Sequence, residues 1–170
     1  MVPVIPSAGV ERLRRMAKKL VKQDGIAHHA ALDIVARASR RFPDWHHLID
    51  AAKATEPTER AFKAGLVIGM DRKDVDFDHS RIKRFVRDER VITFFRMEFE
   101  KQHPEPWGED DEHAWDDIVE LVYFRPKRGL PESLAEVFDL CREDFFFAPR
   151  YVRLKGKVLQ DPFVGEADSG

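Results

Sequence analysis

The chain has 170 residues, with 29 Lys and Arg against 31 Asp and Glu and a formal net charge of −2. That length bounds it to one domain, or one domain with a small appendage, and the near balance of charge removes the argument for a generally basic nucleic-acid coat. Hydrophobic residues at 43% exclude a natively disordered chain, and a single cysteine excludes an intramolecular disulfide and a multi-cysteine metal site.

No apolar run approaches the roughly 20 residues that span a bilayer, and the opening Met1-Val-Pro-Val-Ile-Pro lacks the basic-then-apolar order of a signal peptide. The expectation is a reduced, cytoplasmic protein without membrane contact. Residues 8–54 read as three helices. In the first, Val10, Leu13, Ala17, Leu20 and Val21 recur at helical spacing, Arg12, Arg14, Arg15, Lys18, Lys19 and Lys22 cover the remainder, and Gly25 ends it as a left-handed cap. The second runs from about Ala27 to Arg40 with Ala31, Ile34, Val35 and Ala38 inward. The third follows Phe42-Pro43 and places Trp45, Leu48, Ile49 and Ala52 on one face. Residues 1–55 carry ten Lys/Arg and five Asp/Glu, a local net of +5.

Lys53 to Thr58 reads as a polar connector containing Pro57, followed by a short helix with Ala61 and Phe62. The compact run Leu66-Val67-Ile68-Gly69-Met70 has the length of a buried strand. Asp71 to Asp78 is a charged loop. A helix is predicted from near Ser80 to before Pro104, on the spacing of Ile82, Phe85, Val86, Ile92, Phe95 and Phe99. Residues 98–120 hold ten Asp/Glu and one Lys. Ile118 to Phe124 is apolar on both faces, as a central strand is. Pro131 opens another helix with Leu134, Val137, Phe138 and Cys141 inward. Arg150 to Val158 alternates, with Val152, Leu154 and Val158 on one side and Tyr151, Arg153, Lys155 and Lys157 on the other. The fold class is therefore α+β, an N-terminal three-helix unit followed by a small sheet of about three strands packed with helices. The expected divisions are a helical unit at 1–55, an α+β unit at 56–160 and a flexible acidic tail at 161–170.

Two stretches resemble known families. Leu13-x3-Ala17-Lys18-Lys19-Leu20-Val21-x3-Gly25-Ile26, with Ala31-Leu32-Asp33-x2-Ala36 and Phe42-x2-Trp45-x2-Leu48, resembles a small helical module found at the start of many bacterial proteins, some of them carried on mobile elements. Ala61-Phe62-x2-Gly65-Leu66-Val67-Ile68-Gly69-Met70-Asp71-x-Lys73-Asp74, with Tyr151 to Lys157, is similar to a bacterial family described as a domain of unknown function. Neither resemblance implies an activity, so function has to come from the residues.

Several constellations bear on chemistry. Asp74, Asp76 and Asp78 alternate as at the opening of a calcium loop, but His79 stands where glycine is required and Phe85 where a bidentate glutamate is required. This aspartate-rich loop is the basis of an alternative reading as a metal-dependent enzyme. Glu112, Asp116 and Glu120, with His113 and Asp117 beside them, would share a face only on a continuous helix, which Pro104, Pro106, Gly108 and the strand near Ile118 oppose. His28-His29 and His46-His47 are adjacent pairs, and each supplies at most one member to a site. Nucleophile elbows, zinc-protease motifs and phosphate-binding loops are absent, and Cys141 has acidic neighbours that disfavour a thiolate. No catalytic residue, metal ligand or cofactor is nominated, and the balance leans away from an enzyme.

The remaining signals concern binding. Arg14, Lys18 and Lys22 of the first helix, and Arg153, Lys155 and Lys157 of the last strand, are candidate contacts to nucleic acid or an acidic partner, with Arg125, Lys127 and Arg128 expected beside that strand. The third helix offers Asp44, His46, His47, Asp50 and Lys53, a poor set for a DNA groove. The tail Gln160-Asp161-Pro162-Phe163-Val164 resembles the peptides that bind bacterial sliding clamps. That resemblance implies Gln160 at a pocket rim, Phe163 and Val164 in an apolar cleft, and a role such as that of a replication-blocking toxin of a toxin–antitoxin pair. The leading expectation is a non-enzymatic interaction protein with a protein partner, the clamp or a cognate antitoxin; the alternative is a nucleic-acid binder.

Overall fold

The structure, a computed structural model, describes residues 3–39, 41–71, 85–102, 118–124, 129–145 and 148–161. It divides into two compact units, Met1–Glu59 and Arg60–Gly170.

The first unit is helical. Helix α1 (Ser7–Asp24) buries Val10, Leu13 and Ala17, the predicted stripe, and ends at Gly25, whose φ of 63° is the left-handed region and whose N–H returns to the Val21 carbonyl. Helix α2 (His28–Ala38) buries Ala31, Val35 and Ala36. Ile34 and Ala38 face solvent instead of the core, because the buried stripe turns through Ala36. Helix α3 spans Trp45–Ala64. Asp44 caps it by accepting the His47 N–H at 2.9 Å, and Asp33 of α2 accepts the Trp45 N–H at 2.9 Å. The core gathers Ile5, Val10, Leu13, Ala17, Ala31, Val35, Ala36, Phe42 and Leu48.

The connector expected at Lys53–Thr58 is helical and lies inside α3, Pro57 included. Two of its polar side chains turn inward instead of facing solvent. Thr55 and Thr58 are fully buried, and the Thr55 hydroxyl donates to the Ala51 carbonyl one turn back at 2.7 Å. One turn further on, the buried Glu59 closes α1 from a distance, its two carboxylate oxygens accepting the Ser7 N–H at 3.0 Å and the Ser7 hydroxyl at 2.8 Å. A carboxylate there satisfies an orphan helix donor and complements the positive end of the dipole.

The second unit is built on an antiparallel five-stranded sheet of order β2-β3-β1-β4-β5. The strands are β1 (Leu66–Asp71), β2 (Phe85–Arg87), β3 (Ile118–Phe124), β4 (Tyr151–Leu154) and β5 (Lys157–Gln160). The three strands anticipated from sequence are the three central ones, which gives the α+β class, and two short strands flank them. Helix α4 (Arg90–Gln102) precedes β3 and helix α5 (Leu134–Phe145) precedes β4. Leu66, Ile68 and Met70 of β1 join Val152 and Leu154 of β4 in a core with Val137 and Cys141 of α5. Val67 points to the other face and is equally buried, which explains why β1 reads as a continuous apolar run.

Two expectations are corrected here. Residues 80–84 of the helix predicted from Ser80 lie outside the described residues; Phe85 and Val86 belong to β2 and pair with Phe124 and Tyr123 of β3, and the helix starts at Arg90, where the Asp88 carboxylate accepts the Arg90 N–H at 2.9 Å. The single strand predicted over Arg150–Val158 is a hairpin. Lys155 (φ 51°) and Gly156 (φ 78°) form a two-residue turn of left-handed residues that brings Leu154 opposite Lys157. Reversal at this turn breaks the alternation, so Val158 is exposed rather than inward.

Candidate functional site

Helix α1 carries a dense patch of positive charge. At about 100° per residue, Arg12, Arg14, Arg15, Lys18, Lys19 and Lys22 fall within an arc of roughly 160°. The arc lies opposite the Val10–Leu13–Ala17 stripe, and all six residues are exposed. Arg14 donates to Glu11 at 2.6 Å, and its guanidinium lies 5.9 Å from the Trp45 ring centroid. Glu11 and Asp24 are the helix's two acids against these six cations. The predicted contacts Arg14, Lys18 and Lys22 therefore share one solvated face.

The C-terminal candidates do not stay together. Arg153 is buried, 7% exposed. Its Nε donates to the Phe62 carbonyl at 2.8 Å, its guanidinium meets Glu98 of α4 at 2.6 Å, and it lies 4.0 Å from the Phe62 ring centroid. Its charge is spent inside the fold, so the expectation of an outward Arg153 is overturned: α4 and Phe62 cover the sheet face on which it stands. Tyr151, on the same face, packs edge-on against Phe95 at 4.7 Å. Burial pushes its phenol up to about 12, with Arg153 pulling the other way. Lys155 and Lys157 remain exposed at the hairpin.

Gln160 closes β5, paired with Val152, and its side-chain amide donates to the Pro149 carbonyl at 3.0 Å. The rim contact expected of it would compete with this hydrogen bond. Phe163 and Val164 lie outside the described residues, as do Asp74, Asp76 and Asp78, the 112–117 acids and Arg125, Lys127 and Arg128. Glu120 sits in a strand opposite Met70, which removes the continuous helix its metal reading needed. Among the described residues no group of three His, Cys, Asp or Glu side chains is placed to hold a metal ion.

No carboxylate stands out in the sequence to orient His29 or His46, yet in the structure both members of the second pair have one. His47 Nδ1 lies 2.8 Å from Asp44, and His46 Nε2 lies 3.3 Å from Asp50. The spacings of three and four residues were the available signal. The His47 N–H and ring hold the Asp44 carboxyl below the usual carboxylate range. Both pairs are solvent-exposed helix-surface contacts, and His28 and His29 are exposed as well.

Among the described residues no helix is long and apolar enough to cross a membrane. Comparison of the chain with protein-family models, with curated proteins and with solved structures finds no match in any of the three.

Proposed function

We propose that the chain is a non-enzymatic interaction protein of the bacterial cytosol, and that it receives an anionic partner on the cationic face of α1. One observation carries the reading: six exposed cations occupy one side of a helix whose other side is anchored in a packed core. A rigid backing fixes the spacing of the charges, so binding need not pay the entropy of ordering the helix itself. The test is retention on immobilised heparin at about 50 mM salt, where polyanion attraction is strong. The intact protein is expected to be retained, and Arg12→Gln/Arg15→Gln/Lys18→Gln/Lys22→Gln to flow through. Flow-through of the intact protein overturns the reading.

A narrower version concerns the tail, as a clamp-binding regulator or toxin. It rests on the sequence Gln160-Asp161-Pro162-Phe163-Val164. Recovery of the sliding clamp by the intact protein, and its loss with Gln160→Ala/Phe163→Ala, is the outcome that version requires.

A further inference from the structure

The chemistry of the α1 face discriminates among anionic partners. Protein interfaces gather aromatic and aliphatic anchors at their centre and are depleted in lysine. The α1 arc holds only Arg, Lys and Glu11, with Met16 the exposed large apolar residue at its flank. A membrane surface calls for a helix whose apolar side can enter the acyl boundary. That side of α1 is already committed to its own core through Val10, Leu13 and Ala17. Groove reading calls for a helix that offers donors to base edges. The start of α3, the third helix of the unit, has Asp44 at its cap and Asp50 in its second turn instead. A polyanion with regularly repeated charges, met at its backbone, suits what is left.

We infer that α1 binds the phosphate backbone of nucleic acid without reading base sequence, an inference that rests on the anionic-partner reading above. Arg12 to Lys22 spans about 15 Å of helix, and a duplex carries roughly nine phosphate charges over that length of its axis. A straight helix laid along it engages those on the near side, about three at once. The overall charge of −2 does not oppose this, because beyond about 8 Å at physiological salt other charges are largely screened.

The test is fluorescence anisotropy with labelled duplex DNA and single-stranded RNA of mixed sequence, using the full chain. Three contacts give a log–log salt slope near −2.7, so affinity for duplex is expected to fall about 40-fold between about 50 and 200 mM salt. Two duplexes of unrelated sequence are expected to bind within about twofold of each other, as backbone contacts require. Arg12→Gln/Arg15→Gln/Lys18→Gln/Lys22→Gln is expected to lose at least about tenfold. Lys18→Gln/Lys22→Gln, a milder change on the same exposed face, is expected to fall between it and the intact protein. Lys155→Gln/Lys157→Gln is expected to bind as the intact protein does. Thermal melts by circular dichroism confirm that the variants are folded. Absence of binding to both nucleic acids, a flat salt dependence, a strong sequence preference, or full binding by the α1 variants overturns the inference. Heparin retention without nucleic-acid binding sinks this inference and leaves the anionic-partner reading standing. Loss of both sinks both, and binding to anionic vesicles alone redirects the face to a lipid surface.

Discussion

Helix α1 and strand β4 both present arginine, and the two settings could hardly differ more in what the charge does. The α1 guanidinium and ammonium groups stand in water on the side of the helix away from its core. There each is worth a few tenths of a kcal/mol to the fold and is available to a partner. Arg153 is enclosed by Phe62, Glu98 and the sheet, with every polar contact internal to the unit. Removing it would take an ion pair, a hydrogen bond and a ring contact out of the interior of the unit. Exposure follows angle on a helix, because one core touches one side. It does not follow alternation on a strand when helices cover both faces.

That contrast makes graded predictions. Arg153→Ala should destabilise most, by about 3 kcal/mol, since it removes the buried guanidinium's ion pair with Glu98, its hydrogen bond to the Phe62 carbonyl and its packing on the Phe62 ring. Urea unfolding measures it, and a loss under about 1 kcal/mol would return Arg153 to the class of surface cations. Tyr151 adds a pH signature on the same face. Its ionisation is pushed up on folding, so between pH 10 and about 12 the unfolded chain gives up its proton first and stability falls as pH rises. The loss should approach roughly 2–3 kcal/mol, and Tyr151→Phe should remove that portion of the alkaline slope. Glu59→Ala, in the helical unit, should cost about 1–2 kcal/mol through the two hydrogen bonds to Ser7; unchanged stability there would mean that water caps α1 equally well. Lys155→Asn should raise stability by about 0.5 kcal/mol, because asparagine tolerates the left-handed φ of 51° better in a turn before glycine. Lys18→Gln should lie within about 0.5 kcal/mol of the intact protein in thermal melts, whatever it does to nucleic-acid binding.

What could be read directly was local. The stripe of α1, its Gly25 cap and the double-sided run of β1 are properties of neighbouring residues, and the periodicities express them. The start of α4 was hidden because Phe85 and Val86 happen to continue the spacing of Ile92 and Phe95, while the decisive residue is Asp88. The Lys155-Gly156 turn was hidden because lysine is a rare occupant of a left-handed position, so the alternation seemed to run on. The two interactions that organise each unit are long-range. Ser7 meets Glu59 across 52 positions and Arg153 meets Glu98 across 55, and no spacing rule connects such pairs. The candidate site divides on the same line: the α1 half was legible from helical angle, and the β4 half was not, because its fate depended on what covered it.

The central place of β1 also sets a timetable. Both its neighbours come later in the chain, and the register Gly69 to Tyr151 and Leu66 to Leu154 places its β4 partners more than eighty residues downstream. At about 5–20 residues per second, a ribosome needs roughly 4–16 s to deliver them. For the first part of that interval Leu66-Val67-Ile68-Gly69-Met70 is an apolar strand with neither flank supplied, and once β3 has emerged it still lacks its β4 flank, whereas the contacts of α1 and α2 are complete soon after they emerge. The nascent chain thus passes through a stage with a finished helical head and a sticky, unpaired centre, and that stage is where a chaperone would find its substrate.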